Sequence, residues 1–201
     1  MTTPGSPQRR ADAQRNRELI LAAGRDVLSR RPDAGLAEVA RASGLTRTTV
    51  YAHFATREQL LEELVREAVA EAVGAIDAGD PASGPADRAL LWVLAASWRQ
   101  VARHAALVET VARHLGATAE VLHAPVRNRL RALVRLGRSE GVFRTDVPEQ
   151  WLLSTYFALV HAAGQDLANS AGDPDSIGKA LGRTLLGALA PPSGEVDRDA
   201  R

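Results

Sequence analysis

One short stretch near residue 50 concentrates side chains that can donate and accept hydrogen bonds. Hydroxyls, an imidazole and a guanidinium on one short helix are suited to phosphates and to base edges in a major groove. The spacing therefore predicts a nucleic-acid contact surface, with Thr46 capping the helix that carries it. The residues of this surface are Arg47, Thr48, Thr49, Tyr51 and His53.

The elements that must position this surface form a helix-turn-helix. Val39, Leu45 and Val50 are apolar at positions that face inward when two short helices cross. Gly44 lies in the turn between the helices, where a positive φ costs glycine little. The stretch Thr56-Arg57-Glu58-Gln59 has the capping-box form and predicts the start of a longer helix.

The stretch from Leu36 to Leu61 resembles the tetracycline-repressor (TetR) family of bacterial regulators. The matching stretches are 44–54 (GLTRTTVYAHF) and 57–61 (REQLL), and the helix that contains 20–23 (ILAA) is similar to the family's first helix. The close resemblance covers about residues 15–64. The rest of the chain matches only in helix layout and in short stretches such as 141–144 and 159–163.

The resemblance implies roles for individual residues. Arg47 and Thr48 are expected to reach base edges, Arg47 as a bidentate donor to a guanine. Thr49, Tyr51 and His53 are expected to bind phosphates, as is Arg57. The alternatives are a packing aromatic for Tyr51 and a plain surface histidine for His53. The predicted DNA-binding set is Thr46, Arg47, Thr48, Thr49, Tyr51, His53 and Arg57.

Three positions depart from the family's usual pattern. Gly35 stands where a capping Thr is common, and Gly is still a tolerable cap. Thr48 replaces a frequent Gly, Ser or Pro, which should alter base preference. Arg57 replaces a common Lys, and we expect its phosphate contact to survive because both side chains bind phosphate.

Composition limits the remaining possibilities. The 201 residues are 45% hydrophobic and only 4% aromatic, which favours packed helices over a β-sandwich. Residues 1–53 contain nine Arg and five Asp or Glu, a net charge of +4, so the other 148 sum to −3. A basic head suits phosphates, although chance clustering in an Arg-rich chain is an alternative. The absence of Cys excludes disulfides and thiol catalysis, and the lack of an apolar leader predicts a cytoplasmic protein.

Hydrophobic periodicity predicts an all-α chain of about nine helices and no sheet. We expect a disordered arm at 1–12, a three-helix DNA-binding domain with a helix-turn-helix at 13–55, a ligand-binding and dimerisation domain at 56–190, and a disordered tail at 191–201. Arg9 and Arg10 could enter a minor groove, but a solvated tail is the favoured interpretation. The predicted helices span about 15–30, 36–42, 47–53, 56–76, 87–101, 105–115, 119–140, 146–169 and 173–190. Asp173 is the predicted N-cap of the last helix, with Pro174 at its first position.

The second domain carries two further predictions. The last two helices are apolar on more than one face, which predicts a homodimer, with a single large core as the alternative. Its interface set is Tyr156, Val160, Leu181 and Leu185. A pocket for a small effector is expected in the middle helices, although its members could be ordinary core. The pocket set is Leu94, Trp98, Val101, His123, Phe157 and His161.

An enzyme is the weaker interpretation, because no HExxH, phosphate-binding Gly loop or GxSxG elbow is present. No catalytic residues, metal site or cofactor are therefore expected. The favoured hypothesis is a repressor that leaves a pseudo-palindromic DNA operator when a small hydrophobic molecule binds. The alternatives are an activator that needs its ligand to bind DNA, and a helical small-molecule-binding protein whose helix-turn-helix only packs.

Overall fold

The computed structural model describes residues 7–79, 84–169 and 172–192, and in these residues it contains ten helices and no strand. The all-α prediction is confirmed. The helices are α1 (Pro7–Arg30), α2 (Leu36–Ser43), α3 (Arg47–His53), α4 (Arg57–Ala78), α5 (Ala86–Arg103), α6 (Ala105–Leu115), α7 (Ala117–Leu122), α8 (Ala124–Ser139), α9 (Glu149–Asn169) and α10 (Pro174–Leu189).

Local chemistry explains most of the helix boundaries. Gly44 ends α2 with a φ of 72°, in the left-handed region. Asp173 caps α10 by accepting from the amides of Asp175 and Ser176, and Pro174 occupies the first turn. Both features were predicted from the sequence.

Helix α1 begins at Pro7, well before the predicted start near residue 15. Residues 7–12 are part of α1 in the structure, at positions where the sequence analysis expects a disordered arm. Proline is well tolerated in a first helical turn, and the residues after it are adequate helix formers. Arg9 and Arg10 lie exposed on this helix. The rest of the predicted arm, and residues 193–201 of the predicted tail, lie outside the described residues.

The single helix predicted for 119–140 is two helices, which is why the count is ten. Helix α7 ends at Leu122, His123 occupies the position before α8 without a side-chain capping hydrogen bond, and Pro125 lies in the first turn of α8. Proline has no amide hydrogen and collides with the preceding turn, so a continuous helix cannot pass through this point.

The described residues form two compact units, and the chain passes between them more than once. The first unit takes in the residues up to Ala68 and also His104–Leu122. The second takes in Val69–Arg103 and the chain from His123 onward. Helix α4 is thus divided between the units, and α6 and α7 join the first unit, whereas the sequence-based division assigned them to the second domain.

The first unit is built on α1, which packs against α2 and α6. Ile20, Leu21 and Leu28 of α1 are almost fully buried, as are Leu60 and Leu61 of α4. Burial of one such side chain contributes about 1.5–3 kcal/mol. These contacts fix α1 beneath the helix-turn-helix.

The second unit is built on α5, which packs against α8, α9 and α10. The Trp98 indole N–H donates to the Pro174 carbonyl at 2.9 Å. A Cβ on Gly178 would lie only 2.7 Å from Trp98 Nε1, so glycine is what lets α10 approach α5 here. No described helix combines the length and the apolar character needed to cross a bilayer.

Candidate nucleic-acid interface

The helix-turn-helix is anchored by a small apolar cluster. Val39, Ala40 and Val50 are each no more than 2% exposed. Phe54 follows α3 and is also buried, with the Arg17 guanidinium 5.8 Å from the centre of its ring. The inner face of α3 is therefore fixed by packing, and its other face is left for contacts outside the chain.

Thr46 caps α3 as predicted. Its Oγ1 accepts the Thr49 amide at 3.1 Å and lies 2.8 Å from Thr49 Oγ1. This arrangement satisfies an amide that the helix itself cannot bind. It also fixes both hydroxyls at the amino end of α3, the end that faces base edges in this type of motif.

The outer face of α3 presents three exposed side chains, Arg47, Thr48 and Tyr51. Tyr51 is 49% exposed, which argues against the packing role considered for it. None of the three has a hydrogen-bond partner among the residues that the structure describes. The donors that could contact bases and phosphates therefore face solvent together.

His53 is half-buried at the end of the same helix. It is less accessible than its neighbours on the outer face, and its predicted phosphate contact stays a prediction.

Arg57 has a different environment from the one predicted for it. Its Nε donates to the Ala34 carbonyl at 3.1 Å, and its Nη2 donates to the Pro32 carbonyl. The side chain is half-buried against the turn that precedes α2. This guanidinium ties the start of α4 to that turn, a role for which the planar fork of arginine is better suited than the lysine ammonium.

Acidic residues of α4 fasten the helix to α1. Glu63 binds Arg17 at 2.5 Å and Arg66 at 2.9 Å, and Glu67 binds Arg25 at 2.7 Å. Burial would raise the pKa of Glu63, but the hydrogen bonds from Arg17 and Arg66 outweigh it and lower the pKa below its usual value. Two charged arginines of α1 thus form ion pairs within the first unit, in contrast to Arg47.

The predicted pocket residues separate into two groups. Leu94 and Trp98 are buried, and Trp98 packs between α5 and α10 as ordinary core. Val101, His123, Phe157 and His161 are half-buried. Of these, His123 and Phe157 lie together, with ring centroids 6.0 Å apart.

All four members of the predicted dimer-interface set are buried within a single chain. Their role at an interface between two copies stays a prediction. Periodicity marked them as apolar but could not show that α5, α8 and the two last helices already cover them. Their exposed fractions are 2% for Tyr156, 7% for Val160, 6% for Leu181 and 0% for Leu185.

Sequence reasoning missed a set of buried polar groups in the second unit. Ser97 Oγ, Gln100 Oε1 and the Tyr156 hydroxyl are buried without a hydrogen-bond partner in the described part of the chain. Burial raises the pKa of Tyr156 far above its usual value, so the hydroxyl keeps its proton, and the nearby Ser97 offsets little of this shift. Polar residues on the inward face of an otherwise apolar α5 were the available signal.

Metal-binding geometry is absent from the described residues, where no three His, Asp or Glu side chains are grouped as a metal site would require.

The sequence similarity to known proteins is clearest in the first unit. The family model for bacterial regulatory proteins of the tetR family matches residues 20–64. A transcriptional repressor of Mycolicibacterium smegmatis, LfrR, is 40% identical over 77 residues, which are 38% of this chain. The match spans only 41% of that relative's length.

Solved structures extend the likeness along the chain. LfrR from Mycobacterium smegmatis, in complex with proflavine, is 26% identical with a TM-score of 0.66 and covers 88% of this chain and 97% of its own. The fatty acid degradation regulator FadR from Bacillus halodurans is 19% identical with a TM-score of 0.73, covering 86% and 98% respectively. The second likeness concerns the fold alone.

Proposed function

We propose that the chain is a ligand-responsive transcriptional regulator of the TetR family of bacterial regulatory proteins, as supported by the family model over residues 20–64 and by the similarity to LfrR. In its simplest form it is a repressor that leaves a pseudo-palindromic operator when a small molecule binds the second unit. The observation that carries the proposal is the outer face of α3. There Arg47, Thr48 and Tyr51 are exposed without partners, while Val50 holds the helix in place from the other side.

A role for each residue follows from these positions. Arg47 donates to a base edge, and Thr48 contacts the neighbouring base. Thr46, Thr49, Tyr51 and His53 fix the register of the helix on the phosphates. Arg57 acts indirectly, because its guanidinium holds the turn before α2.

The proposed regulator is a homodimer, since a pseudo-palindromic operator presents two half-sites. Support comes from the outer faces of α9 and α10, where small residues leave room for close approach of a second copy. These residues are Ala158, Ala162, Ala180 and Gly187. Light scattering should give twice the mass of the chain, and Ala162→Arg should give a monomer. A monomeric wild-type protein at micromolar concentration would exclude the dimer.

Release of DNA by the effector needs only modest coupling, about 1–3 kcal/mol or 5–150-fold in affinity. Helix α4 contributes to both units and is the element through which we propose that the signal passes. Proflavine, which is present in the LfrR structure, is a suitable first probe for release. An activator would show the opposite sign, with tighter DNA binding when ligand is present.

The test is a fluorescence-anisotropy titration with the intergenic DNA beside the protein's own gene. Arg47→Ala and Tyr51→Ala should each weaken binding, Arg47→Ala by about 5–150-fold, as expected for loss of a bidentate base contact of ~1–3 kcal/mol. Arg99→Ala is the matched control, because it removes an exposed arginine from α5 instead. Wild-type affinity should also fall steeply with salt.

Two results would count against the proposal. One is equal weakening by Arg47→Ala and Arg99→Ala, which would reduce the contact to overall charge. The other is failure of the wild type to enrich any sequence from a pool of random duplexes, which would leave the helix-turn-helix a packing element only.

A further inference from the structure

The arginines of α8 are not equivalent. Within the described residues, four of the five bind acceptors of the chain: Arg129 binds Asp77, Arg131 and Arg135 bind Glu149, and Arg138 binds the carbonyls of Arg144 and Val147. Arg127 is the exception. It is half-buried and has no acidic or carbonyl partner in the part of the chain that the structure describes.

Arg127 is held by an aromatic ring instead. Its guanidinium carbon lies 4.6 Å from the centre of the Phe157 ring. A guanidinium placed over a ring in this way can still bind an acid group through its N–H groups. The arrangement thus positions a set of charged donors without using them.

The surroundings of Arg127 are favourable to an anion. The residue lies near the amino end of α8, whose first turn contains no acidic side chain. The partial positive charge of a helix amino end adds to that of the guanidinium. His123, which directly precedes this helix, contacts the same Phe157 ring, with centroids 6.0 Å apart.

A second polar feature lies beside the same ring. Tyr156 packs edge-on against Phe157 at 5.4 Å, and its hydroxyl, like Ser97 Oγ and Gln100 Oε1, is buried without a partner. Buried polar groups are usually hydrogen-bonded, because leaving one unpaired is costly. A guanidinium and a tyrosine whose hydroxyl is buried without a partner thus both contact one aromatic ring.

We propose that Arg127, with Phe157 and His123, forms the anion-binding end of the effector site, so that the effector is an acid with an apolar or aromatic body. The acid group pairs with the Arg127 guanidinium, and the apolar body lies against Phe157. This inference rests on one part of the proposed function, namely that the effector binds the second unit.

The experiment uses two fluorescent probes of nearly the same shape. Anilinonaphthalene sulfonate carries an anionic group, and phenylnaphthylamine has the same rings without it. Wild-type protein should bind anilinonaphthalene sulfonate more tightly than phenylnaphthylamine. Arg127→Met keeps an unbranched chain on Phe157 but removes the charge, and should weaken sulfonate binding about tenfold or more while leaving the neutral probe unchanged.

Arg135→Met is the matched control, because it removes an arginine of the same helix that already binds Glu149. Arg127→Lys, which keeps the charge, should retain a preference for the sulfonate and serves if Arg127→Met fails to fold. Equal loss of sulfonate binding in Arg127→Met and Arg135→Met overturns the inference, as does a wild type that does not distinguish the two probes.

The operator titration separates this inference from the proposed function. A protein that binds its operator but does not prefer the sulfonate overturns the inference alone. A protein that prefers the sulfonate but binds no operator overturns the function alone.

Discussion

The outer face of α3 and the interior of the second unit both contain polar groups for which the described chain offers no partner. On α3 these groups belong to exposed Arg47, Thr48 and Tyr51, where water satisfies them at little cost. In the interior they belong to Ser97, Gln100 and Tyr156, and each unpaired group there costs about 1–3 kcal/mol. An exposed donor without a partner therefore does not by itself indicate a site. A buried polar group without a partner lowers the stability of the fold, so its presence needs an explanation.

Arg57 tests this comparison most severely, because the sequence analysis predicted that it contacts phosphate together with the exposed donors of α3. Its two hydrogen bonds to carbonyls of the turn before α2 give it a structural role. Arg57→Lys cannot reproduce the fork and should lower the free energy of unfolding by about 1.5–3 kcal/mol, measured by urea denaturation.

Arg30→Lys is the control for Arg57, because Arg30 is largely exposed and binds only Asp26 within the described chain. It should change stability by less than about 0.5 kcal/mol. If Arg57→Lys were as stable as wild type and bound DNA equally well, the original prediction of a phosphate contact would be restored.

Two tyrosines test the comparison directly. Tyr156→Phe removes a buried, unpaired hydroxyl and should raise the free energy of unfolding by ~1 kcal/mol. Tyr51→Phe removes an exposed hydroxyl and should leave stability within about 0.5 kcal/mol while weakening DNA binding. Thermal and urea unfolding of both variants, with the operator titration, give the result. A clear destabilisation by Tyr156→Phe would mean that its hydroxyl is satisfied.

Two glycines extend the comparison to the backbone. Gly44 and Gly141 each follow a helix with a positive φ, 72° and 74°. Alanine at either position should cost about 1–2 kcal/mol of stability, but only Gly44→Ala should also weaken DNA binding, since it distorts the turn before α3. Gly74→Ala, in the interior of α4 with open space at its Cβ, should stabilise by ~0.5–1 kcal/mol. Equal effects of Gly44→Ala and Gly141→Ala on DNA affinity would contradict this assignment.

The smallest expected effect concerns charges that are paired within the chain. The pKa of Glu63 is lowered in the folded protein, so its ion pairs stabilise above the unfolded pKa and the contribution is lost as pH falls through the folded value. Because Glu63 is partly exposed, the contribution should be no more than about 1 kcal/mol. Glu63→Gln should therefore narrow the difference in stability between neutral and acidic pH. An unchanged pH profile would show that these ion pairs contribute nothing.

Residue chemistry that acts locally could be predicted from the sequence. The turn at Gly44, the cap at Thr46 and the cap at Asp173 each depend on one or two neighbouring residues, and each is present. The capping box at α4 is present in altered form. Thr56 Oγ1 accepts the Gln59 amide at 3.2 Å, but Gln59 Oε1 accepts from Ala55 instead of Thr56.

Features that depend on distant partners could not be predicted. Helical periodicity identified the apolar faces of α9 and α10, but their burial also depends on packing against α5, which is remote in sequence. The hydrogen bonds of Arg57 likewise depend on carbonyls of residues more than twenty positions earlier. The break at Pro125 was readable, and was missed because the apolar pattern continues on both sides of it.

The division of the chain into two units has a consequence for its modular use. Helices α6 and α7 belong to the first unit but are encoded after α5, which belongs to the second. A fragment ending near Ala68 would lack α6, and the surface of α1 that packs on α6 would be open to solvent. The first unit therefore cannot be transferred to another protein as one continuous fragment. A chimera that contains α3 and its supporting helices must include two separate stretches of sequence, or leave part of the α1 surface uncovered.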